Sequence, residues 1–408
     1  MMTTDTIEGR AFDGQGDANM ASISPALTFL LAAACGLIAA NLYYGQPLAG
    51  IIGAELGFSS AATGLIVTLT QIGYGVGLLF VVPLGDLVEN RKLVVIAVSM
   101  AVLSLVAAAL APHASQFLFA AFLIGVSSVA VQVIVPYAAH MAPHAIRGRV
   151  VGNVMSGLMV GIMLARPVSS LLSEFVSWRG VYLASAVVMA ILAVVLFRLL
   201  PVRMPEARLG YGALMASMGK LAANTPLLQR RAIYHAFMFG AFSLFWTTTP
   251  LYLSGPHFNL SQGEIALFAL AGAAGAVAAP IAGRMADRGW TYPATFAAMV
   301  MVGLSFVVTH LAPEGSHLAL AILVAAAIVL DFGVTTNLVL GQRAIFTLGA
   351  EFRSRLNGIY MATFFMGGAI GSAVGGWAYS VGEWSLASWV GFAMPAAALV
   401  YFLTEKRG

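Results

Sequence analysis

Residues 283–289 read Gly-Arg-Met-Ala-Asp-Arg-Gly and form a short charged interruption between two apolar stretches. The stretch before them runs from about Gln262 to Gly283, and the stretch after them runs from about Pro293 to Leu311. Each is close to the roughly 20 residues that an α-helix needs to cross the hydrocarbon core of a bilayer. The charged turn therefore predicts two membrane-spanning helices joined by a tight loop at one membrane face.

The same pattern continues along the whole chain. Hydrophobic residues make up 60% of the sequence and charged residues only 9%, far below the usual share in soluble domains. The sequence therefore predicts an all-α membrane protein with 12 transmembrane helices. Their approximate limits are Pro25–Gln46, Ala62–Pro83, Leu93–Ala111, Gln116–Ala139, Val150–Ser173, Trp178–Leu200, Ala232–Leu253, Gln262–Gly283, Pro293–Leu311, Leu318–Leu340, Leu356–Tyr379 and Leu386–Leu403.

The basic residues predict the orientation. If the chain starts inside the cell, every Lys and Arg except two falls on the cytoplasmic side; Arg179 lies outside and Arg166 lies within the bilayer. This is the positive-inside distribution, and the even number of spans then places both termini in the cytoplasm. We expect a multi-pass protein of the cytoplasmic (inner) membrane whose net charge of +4 contacts anionic lipid, with no nucleic-acid partner.

The longest hydrophilic stretch divides the chain into two similar halves. We predict a disordered cytoplasmic tail (1–24), an N-terminal six-helix bundle (25–200), a cytoplasmic linker (201–231), a C-terminal six-helix bundle (232–403) and a cytoplasmic tail (404–408). Asp86 and Asp287 each follow the second span of their half. Arg147-Gly-Arg149 precedes the fifth span as Arg353-Ser-Arg355 precedes the eleventh. This shared order predicts a duplicated, pseudo-symmetric unit.

The turn Gly283-Arg-Met-Ala-Asp287-Arg288-Gly289 resembles the G-x-L-a-D-R-x-G signature of the major facilitator superfamily. The first-half copy keeps Asp86 but lacks the glycine four residues earlier and the arginine directly after it. The topology of the spans also fits that family. The resemblance implies the family's fold of two six-helix bundles around a central cavity. It also implies a gating charge cluster at the inner face, here Asp86, Arg91, Asp287 and Arg288.

The fifth span contains Gly157-Leu-Met-Val-Gly161-Ile-Met-Leu-Ala165-Arg166-Pro167, which resembles the antiporter motif of drug/proton exchangers. Arg166 stands where that motif has a glycine, and Ala121 replaces the exporters' buried arginine in the fourth span. The resemblance implies proton-coupled efflux of a small organic solute by alternating access. Proton-coupled import of a nutrient, siderophore or metal is the alternative. A non-transporting receptor or scaffold is a different class, which a soluble signalling domain would indicate.

Two charged residues lie deep within predicted spans, Arg166 in the fifth and Asp331 in the tenth. An intramembrane ion costs at least about 2.5 kcal/mol on insertion scales, so such residues usually face a cavity or a partner. We expect Asp331 to gain and lose a proton as the cavity changes sides, with Arg166 as a second proton-coupling residue. The structural alternative is a permanent ion pair or a hydrogen bond to a neighbouring hydroxyl.

In the superfamily, the first, fourth, seventh and tenth spans line the central cavity. A lining of aromatic faces and amides with few fixed charges suits a neutral, amphipathic or aromatic solute. Interhelical hydrogen bonds are the alternative explanation for the amides, and an interfacial aromatic belt is the alternative for tyrosines near a helix end. The candidate solute-binding residues are Asn41, Tyr43, Tyr44, Gln71, Tyr74, Gln132, Trp246, Asn337 and Tyr360.

Other kinds of chemistry find little support in the sequence. It has no glycine-rich phosphate loop ending in Lys-Ser/Thr and no nucleophile with a base at motif spacing, so we expect neither ATP-driven transport nor an enzyme. Met155, Met159 and Met163 could form a thioether stripe for a soft metal, but helix packing explains them more simply. The expected partners are a small-molecule solute, protons and the lipid bilayer, with no metal or cofactor and a monomeric chain.

Overall fold

The computed structural model describes residues 23–143, 146–205, 210–349 and 352–405, and every regular element among them is helical. The predicted all-α fold is therefore confirmed. Most of the predicted N-terminal tail and residues 406–408 lie outside the described part. The α-helices are α1 (Pro25–Ala40), α2 (Gly45–Leu56), α3 (Leu65–Phe80), α4 (Asn90–Leu110), α5 (Ala114–Ser128), α6 (Ala130–Met141), α7 (Arg147–Leu199), α8 (Tyr211–Asn224), α9 (Pro226–Ser254), α10 (Gln262–Ala269), α11 (Gly275–Asp287), α12 (Thr291–Val307), α13 (His317–Phe346) and α14 (Arg353–Leu403).

Nine stretches of the described residues are long and apolar enough to cross a membrane. Two of them, α7 with 53 residues and α14 with 51, are far longer than one span requires. Each is interrupted where two predicted spans meet, α7 at Ser177 (φ 61°) and α14 at Gly382 and Glu383 (φ 51° at Glu383). The helix α9 matches the seventh predicted span but is not among the nine, so the count of twelve stays a prediction.

The long helix α7 doubles back at Ser177. Directly after this residue, Arg179 donates a hydrogen bond to the carbonyl oxygen of Ala109 (2.7 Å) at the end of α4. At the start of α4, Arg91 donates to the carbonyl oxygen of Leu200 (3.4 Å), just beyond the end of α7. The second arm of α7, which follows Ser177, therefore runs antiparallel to α4. The two arms of α7 correspond to the fifth and sixth predicted spans and form one helical hairpin.

The two ends of the helical bundle differ in charge. One end, which carries Arg91, Arg203 and Arg355, is called the Arg91 end. The opposite end, which carries Glu55 and Glu174, is called the Glu55 end. The positive-inside rule predicts that the Arg91 end is cytoplasmic, and this orientation stays a prediction.

Several predicted spans are broken within the membrane segment. The first, predicted to end at Gln46, is interrupted at residues 41–44 after α1 and continues as α2 to Leu56. The fourth consists of α5 and α6, which meet at Val129. The eighth consists of α10, a 3-10 segment (Leu270–Ala274) and α11. Such breaks are tolerated in a membrane protein where the backbone is buried in protein or lines a cavity. Asn41, Leu42 and Tyr43 in the first break and Val129 in the second are buried.

Part of the predicted linker is folded. The helix α8 lies within residues 201–231, and its Leu214 and Met218 are buried. The hydroxyl of Tyr211 donates to the carbonyl oxygen of Phe80 at 3.0 Å. The linker therefore packs on the Arg91 end through an amphipathic helix and is not irregular throughout.

Helices α1 and α7 cross at very short range because glycines face each other. A Cβ atom on Gly161 would lie 2.2 Å from the carbonyl oxygen of Gly36, and one on Gly157 would lie 2.3 Å from that of Ala32. No side chain fits between the backbones at these distances, as in other close crossings built on small residues. The crossing fixes the first arm of α7, which carries Arg166.

The second half repeats this crossing between α9 and α14. A Cβ atom on Gly371 would lie 2.0 Å from the carbonyl oxygen of Gly240, and one on Gly367 would lie 2.2 Å from that of Ala236. The two glycine-rich stretches that correspond in sequence thus make equivalent contacts. This supports the duplication, while the division into two six-helix bundles stays a prediction.

We expect Gly161→Ala to destabilise the protein, because the new methyl group would overlap the backbone of Gly36. Overpacking of this kind typically costs about 1–3 kcal/mol. Thermal unfolding in detergent, followed by intrinsic fluorescence, measures the effect as a lower Tm.

Gly152→Ala is the matched control, because it makes the same change in the same helix where nothing lies within 4 Å of the new Cβ atom. Alanine is favoured over glycine in a helix by about 1 kcal/mol, so its Tm should stay equal or rise. Equal Tm changes for the two variants would contradict the account of a tight α1–α7 crossing.

Candidate proton- and solute-binding site

Arg166 and Asp331 lie side by side in the interior, one on the first arm of α7 and the other on α13. Their exposed fractions are only 3% and 4%. The segment between α10 and α11 passes directly over them: a Cβ atom on Gly272 would lie 3.0 Å from Asp331 Oδ2 and 3.2 Å from Arg166 Nη1. The absence of a side chain at Gly272 lets both groups approach the same point. The structure therefore brings the two predicted proton-coupling residues into one site.

The guanidinium of Arg166 is held by one hydrogen bond and three aromatic rings. Its Nε donates to Gln46 Oε1 at 2.6 Å. Its Cζ lies 4.3 Å from the ring centroid of Trp246, 5.0 Å from that of Phe242 and 5.2 Å from that of Tyr43. Cation–π contacts of desolvated groups contribute about 2 kcal/mol each. These rings offset part of the cost of burying the charge.

The carboxyl group of Asp331 has a different partner. Trp246 Nε1 donates to Asp331 Oδ1 at 2.8 Å, so one tryptophan contacts both charged residues. Among the described residues, no direct ion pair joins Asp331 to Arg166. The permanent ion pair that the sequence left open is therefore not formed. The two groups are neighbours, and each is held by other side chains.

Three of the predicted solute-binding residues, Gln71, Tyr74 and Gln132, form hydrogen bonds that join α3 to α6 and α9. Gln132 Nε2 donates to the hydroxyl of Tyr74 at 3.0 Å, and the Tyr74 ring packs 4.4 Å from that of Phe365. Gln71 Nε2 donates to the hydroxyl of Ser243 at 2.8 Å, which joins α3 to α9. In this conformation, their side chains make the interhelical contacts that are the alternative to solute binding.

The segment between α1 and α2 carries three more predicted residues. Tyr43 packs on Arg166 and belongs to the site. Asn41 Oδ1 instead accepts a hydrogen bond from Ser185 on the second arm of α7, at 2.7 Å. Tyr44 is partly exposed and lines a groove between α1 and α7 that opens on the protein surface. Of these three side chains, the structure therefore brings only Tyr43 to Arg166.

Asn337 and Tyr360 lie in a second polar cluster, which surrounds His235. The side chains of Asn337 and His235 are joined at 3.0 Å, between Nδ2 and Nδ1. The imidazole stacks between the rings of Tyr360 (5.2 Å) and Phe364 (4.4 Å). Asn337 follows Asp331 by six residues on α13, a rise of about 9 Å. This cluster is thus separate from the Arg166 site and lies nearer the Arg91 end.

Sequence reasoning missed Gln46, Phe242 and His235. Phe242 precedes Trp246 by four residues on α9, and His235 precedes Phe242 by seven. His235, Phe242 and Trp246 therefore share one face of this helix. Extending the helical spacing backwards from Trp246 could have found them. Gln46 offered a weaker signal, because it stands at the predicted end of the first span.

The four predicted gating residues do not form one cluster. Asp86 lines a small cavity together with Arg355 of α14 and also faces Arg203 electrostatically. Arg91 instead lies 4.7 Å from the ring of Phe197 on α7. Asp86 therefore faces the first turn of α14, and its role in gating stays a prediction.

The second gating aspartate has a partner in its own half. Asp287, at the end of α11, accepts a hydrogen bond from Arg343 of α13 and forms an ion pair with it. Arg288 lies 5.9 Å from the ring of Trp290 and does not share this contact. Asp287 and Arg343 thus link α11 to α13 at the Arg91 end.

The Arg166 site gathers its chemical groups from α7, α9, α13 and the segment between α1 and α2. It offers one carboxyl group, one cation and three aromatic faces in a desolvated environment. Among the described residues, no group of three or more His, Cys, Asp or Glu side chains could hold a metal ion.

Comparison with known proteins identifies the family. A family model described as Major Facilitator Superfamily matches residues 28–345. The uncharacterized transporter YgaY of Escherichia coli O157:H7 is 38% identical over 388 residues, which cover 95% of this chain and 96% of that protein. The probable transporter SCO4007 of Streptomyces coelicolor is 31% identical over 363 residues, which cover 87% of this chain and 81% of that protein.

The fold is also shared with solved structures. The crystal structure of nucleoside transporter NupG matches with a TM-score of 0.73 over 93% of this chain and 99% of that one, at 15% identity. At this identity the likeness shows the fold alone. The comparisons agree with the predicted family and with a transporter that is not an enzyme, and they do not distinguish the drug/proton antiporter group. The chain belongs to the Major Facilitator Superfamily and is a multi-pass membrane transporter.

Proposed function

We propose that this transporter couples the movement of a small organic solute to protons through Asp331. The observation that carries the proposal is a buried carboxyl group in α13 that accepts a hydrogen bond from Trp246 and lies beside Arg166 without an ion pair. A carboxyl group that is not locked to a cation can exist as acid or carboxylate. In a low-dielectric interior, one added proton changes the electrostatic balance of the cavity strongly.

The helix α7 connects the Arg166 site to α10 at the Glu55 end. At the Glu55 end, Glu174 of α7 accepts a hydrogen bond from the backbone N–H of Gly263 (2.5 Å), in the first turn of α10. A carboxylate at a helix N-terminus is stabilised by the helix dipole. Glu174 follows Arg166 by eight residues, so both lie on similar faces of one helix. We infer that a charge change at Asp331 acts through α7 on α10 at the Glu55 end.

The lining of the site suits an aromatic or amphipathic solute, because aromatic rings and an amide surround Arg166. We propose export as the direction, as the likeness to drug/proton exchangers implies, by a monomer in the cytoplasmic membrane. Import of a nutrient together with protons is the second candidate. Arg166 in place of the exporters' glycine and the buried Ala121 in place of their arginine favour this second candidate.

We expect Asp331→Asn to uncouple transport. The amide mimics the protonated acid permanently, so the solute should still bind and exchange across the membrane, but a pH gradient should no longer drive accumulation. Flux into proteoliposomes, with and without an imposed pH gradient, measures this for a compound that stabilises the wild-type protein against heat.

Glu314→Gln is the matched control, because it neutralises a carboxyl group that is 47% exposed at the Glu55 end. Its driven flux should equal that of the wild type. A thermal unfolding curve on the same preparations excludes misfolding. A well-folded Asp331→Asn protein that still concentrates the compound would remove Asp331 from the coupling mechanism.

We expect Asp287→Asn to slow transport while solute affinity stays nearly unchanged. The ion pair with Arg343 is exposed and contributes less than about 1 kcal/mol to stability, so the effect should be conformational. Glu89→Gln is the control, since it breaks the Glu89–Lys92 pair (3.0 Å) at the same end. Lost binding in a folded Asp287→Asn protein would show that the aspartate is not a gate residue.

Orientation can be tested by thiol labelling in whole cells. The buried Cys35 is the sequence's single cysteine, so Cys35→Ala gives a background without thiols. A cysteine at Glu314 should then react with an impermeant reagent from outside, and a cysteine at Lys220 should react only after permeabilisation. The opposite pattern would reverse the proposed topology.

A further inference from the structure

Two unpartnered donors beside Asp331 indicate the chemistry of the ligand. Arg166 Nη2 and Gln46 Nε2 are buried, and neither has a hydrogen-bond partner in the protein. The two side chains are joined to each other through Arg166 Nε and Gln46 Oε1 at 2.6 Å, so the free N–H groups belong to one cluster. A buried donor without an acceptor costs about 1–3 kcal/mol, and more when it is charged. Acceptor oxygens of a bound group would satisfy these donors.

The surrounding rings determine which acceptors fit. Tyr43, Phe242 and Trp246 all have their ring centroids within 5.2 Å of the Arg166 Cζ atom. Aromatic faces satisfy the charge but accept no strong N–H hydrogen bonds. A guanidinium presents its N–H groups as a planar fork, which matches the paired oxygens of a carboxylate, sulfonate or phosphate ester.

We propose that Arg166 and Gln46 bind an oxyanion group of the solute, and that this group binds when Asp331 is protonated. The proposal rests on the proton coupling proposed above for Asp331. It assigns an acidic head group to the solute, in addition to the aromatic or amphipathic body that the rings suit.

The reason is competition for the charge of Arg166. Asp331 Oδ2 and Arg166 Nη1 lie beside the same point over Gly272, so an ionised Asp331 compensates the guanidinium through space. Among the described residues, the charged and titratable groups that face Asp331 are Arg166 from α7 and Tyr43 from the segment between α1 and α2. A proton on Asp331 leaves Arg166 without a counter-charge, and a solute oxyanion then supplies the negative charge that balances Arg166.

This competition has a consequence for coupling. Protonation of Asp331 and binding of the oxyanion favour each other. A protonated Asp331 no longer repels the oxyanion, and a bound oxyanion disfavours the ionised form of Asp331. Proton and solute therefore occupy the transporter together and move in the same direction. This arrangement is that of the second candidate function, import with protons, so the oxyanion site favours import over the export that the family resemblance implies.

A thermal-shift screen in detergent tests the ligand chemistry. The library contains equal numbers of anionic, neutral and cationic aromatic compounds, including naphthalenesulfonates, whose charge stays constant between about pH 5 and pH 8. We expect the stabilising compounds to be mainly anions. The affinity of the best sulfonate should rise as the pH falls in the wild type, and it should be high and independent of pH in Asp331→Asn.

Gln46→Glu tests the contact itself. The new carboxylate would occupy Arg166 and repel the sulfonate, so we expect its affinity to fall roughly tenfold to a hundredfold. Gln116→Glu makes the same change at an exposed position on α5 and should leave the affinity unchanged. Arg166→Lys, which keeps the charge but loses the planar fork, should also weaken binding and serves as a second variant if Gln46→Glu does not fold.

The possible outcomes separate the two proposals. Stabilising compounds that are neutral or cationic, an absence of stabilising anions, or a sulfonate affinity that survives Gln46→Glu would each overturn the oxyanion site. Failure of the proton coupling shows differently, as gradient-driven flux that survives Asp331→Asn. In that case the effect of Gln46→Glu on sulfonate binding still decides whether Arg166 and Gln46 hold an oxyanion.

Discussion

Burial of a guanidinium and a carboxyl group in the middle of a membrane protein is the constraint on which the rest of this structure depends. Each group costs several kcal/mol unless its surroundings compensate it. Here Arg166 is compensated by aromatic faces and by Gln46, and Asp331 by the indole N–H of Trp246. Opposite charges are thereby held close together without an ion pair. Such an arrangement can respond to a single proton or to a single solute anion.

Backbone contacts decide where these side chains meet. Gly161 lies five residues before Arg166 and presses α7 onto α1, and Gly240 lies six residues before Trp246 and presses α9 onto α14. Gly272 then lets the chain between α10 and α11 pass over both charged groups. The same device, glycine at a helix crossing, thus positions the cation in one half and its tryptophan partner in the other. The duplication that the sequence predicts accounts for both crossings.

Much of the fold could be predicted from the sequence, because a bilayer fixes both the secondary structure and the length of a span. Arg166 and Asp331 could be predicted as site residues because a charge within an apolar stretch is conspicuous. The partners could not be predicted, since they depend on helix rotation and on the break between α1 and α2. Asn41 was expected at the cavity but bonds to Ser185, whereas Gln46, five residues later, holds Arg166.

The central claim is that Asp331 gains and loses a proton within the transport cycle. Infrared difference spectroscopy of the reconstituted transporter tests it most directly, because the C=O stretch of a protonated carboxyl group reports the proton itself. On a step from neutral to acidic pH, the account predicts a C=O band in the wild type that is missing from Asp331→Asn. A band that persists unchanged in Asp331→Asn, or a wild-type spectrum without one, would contradict it.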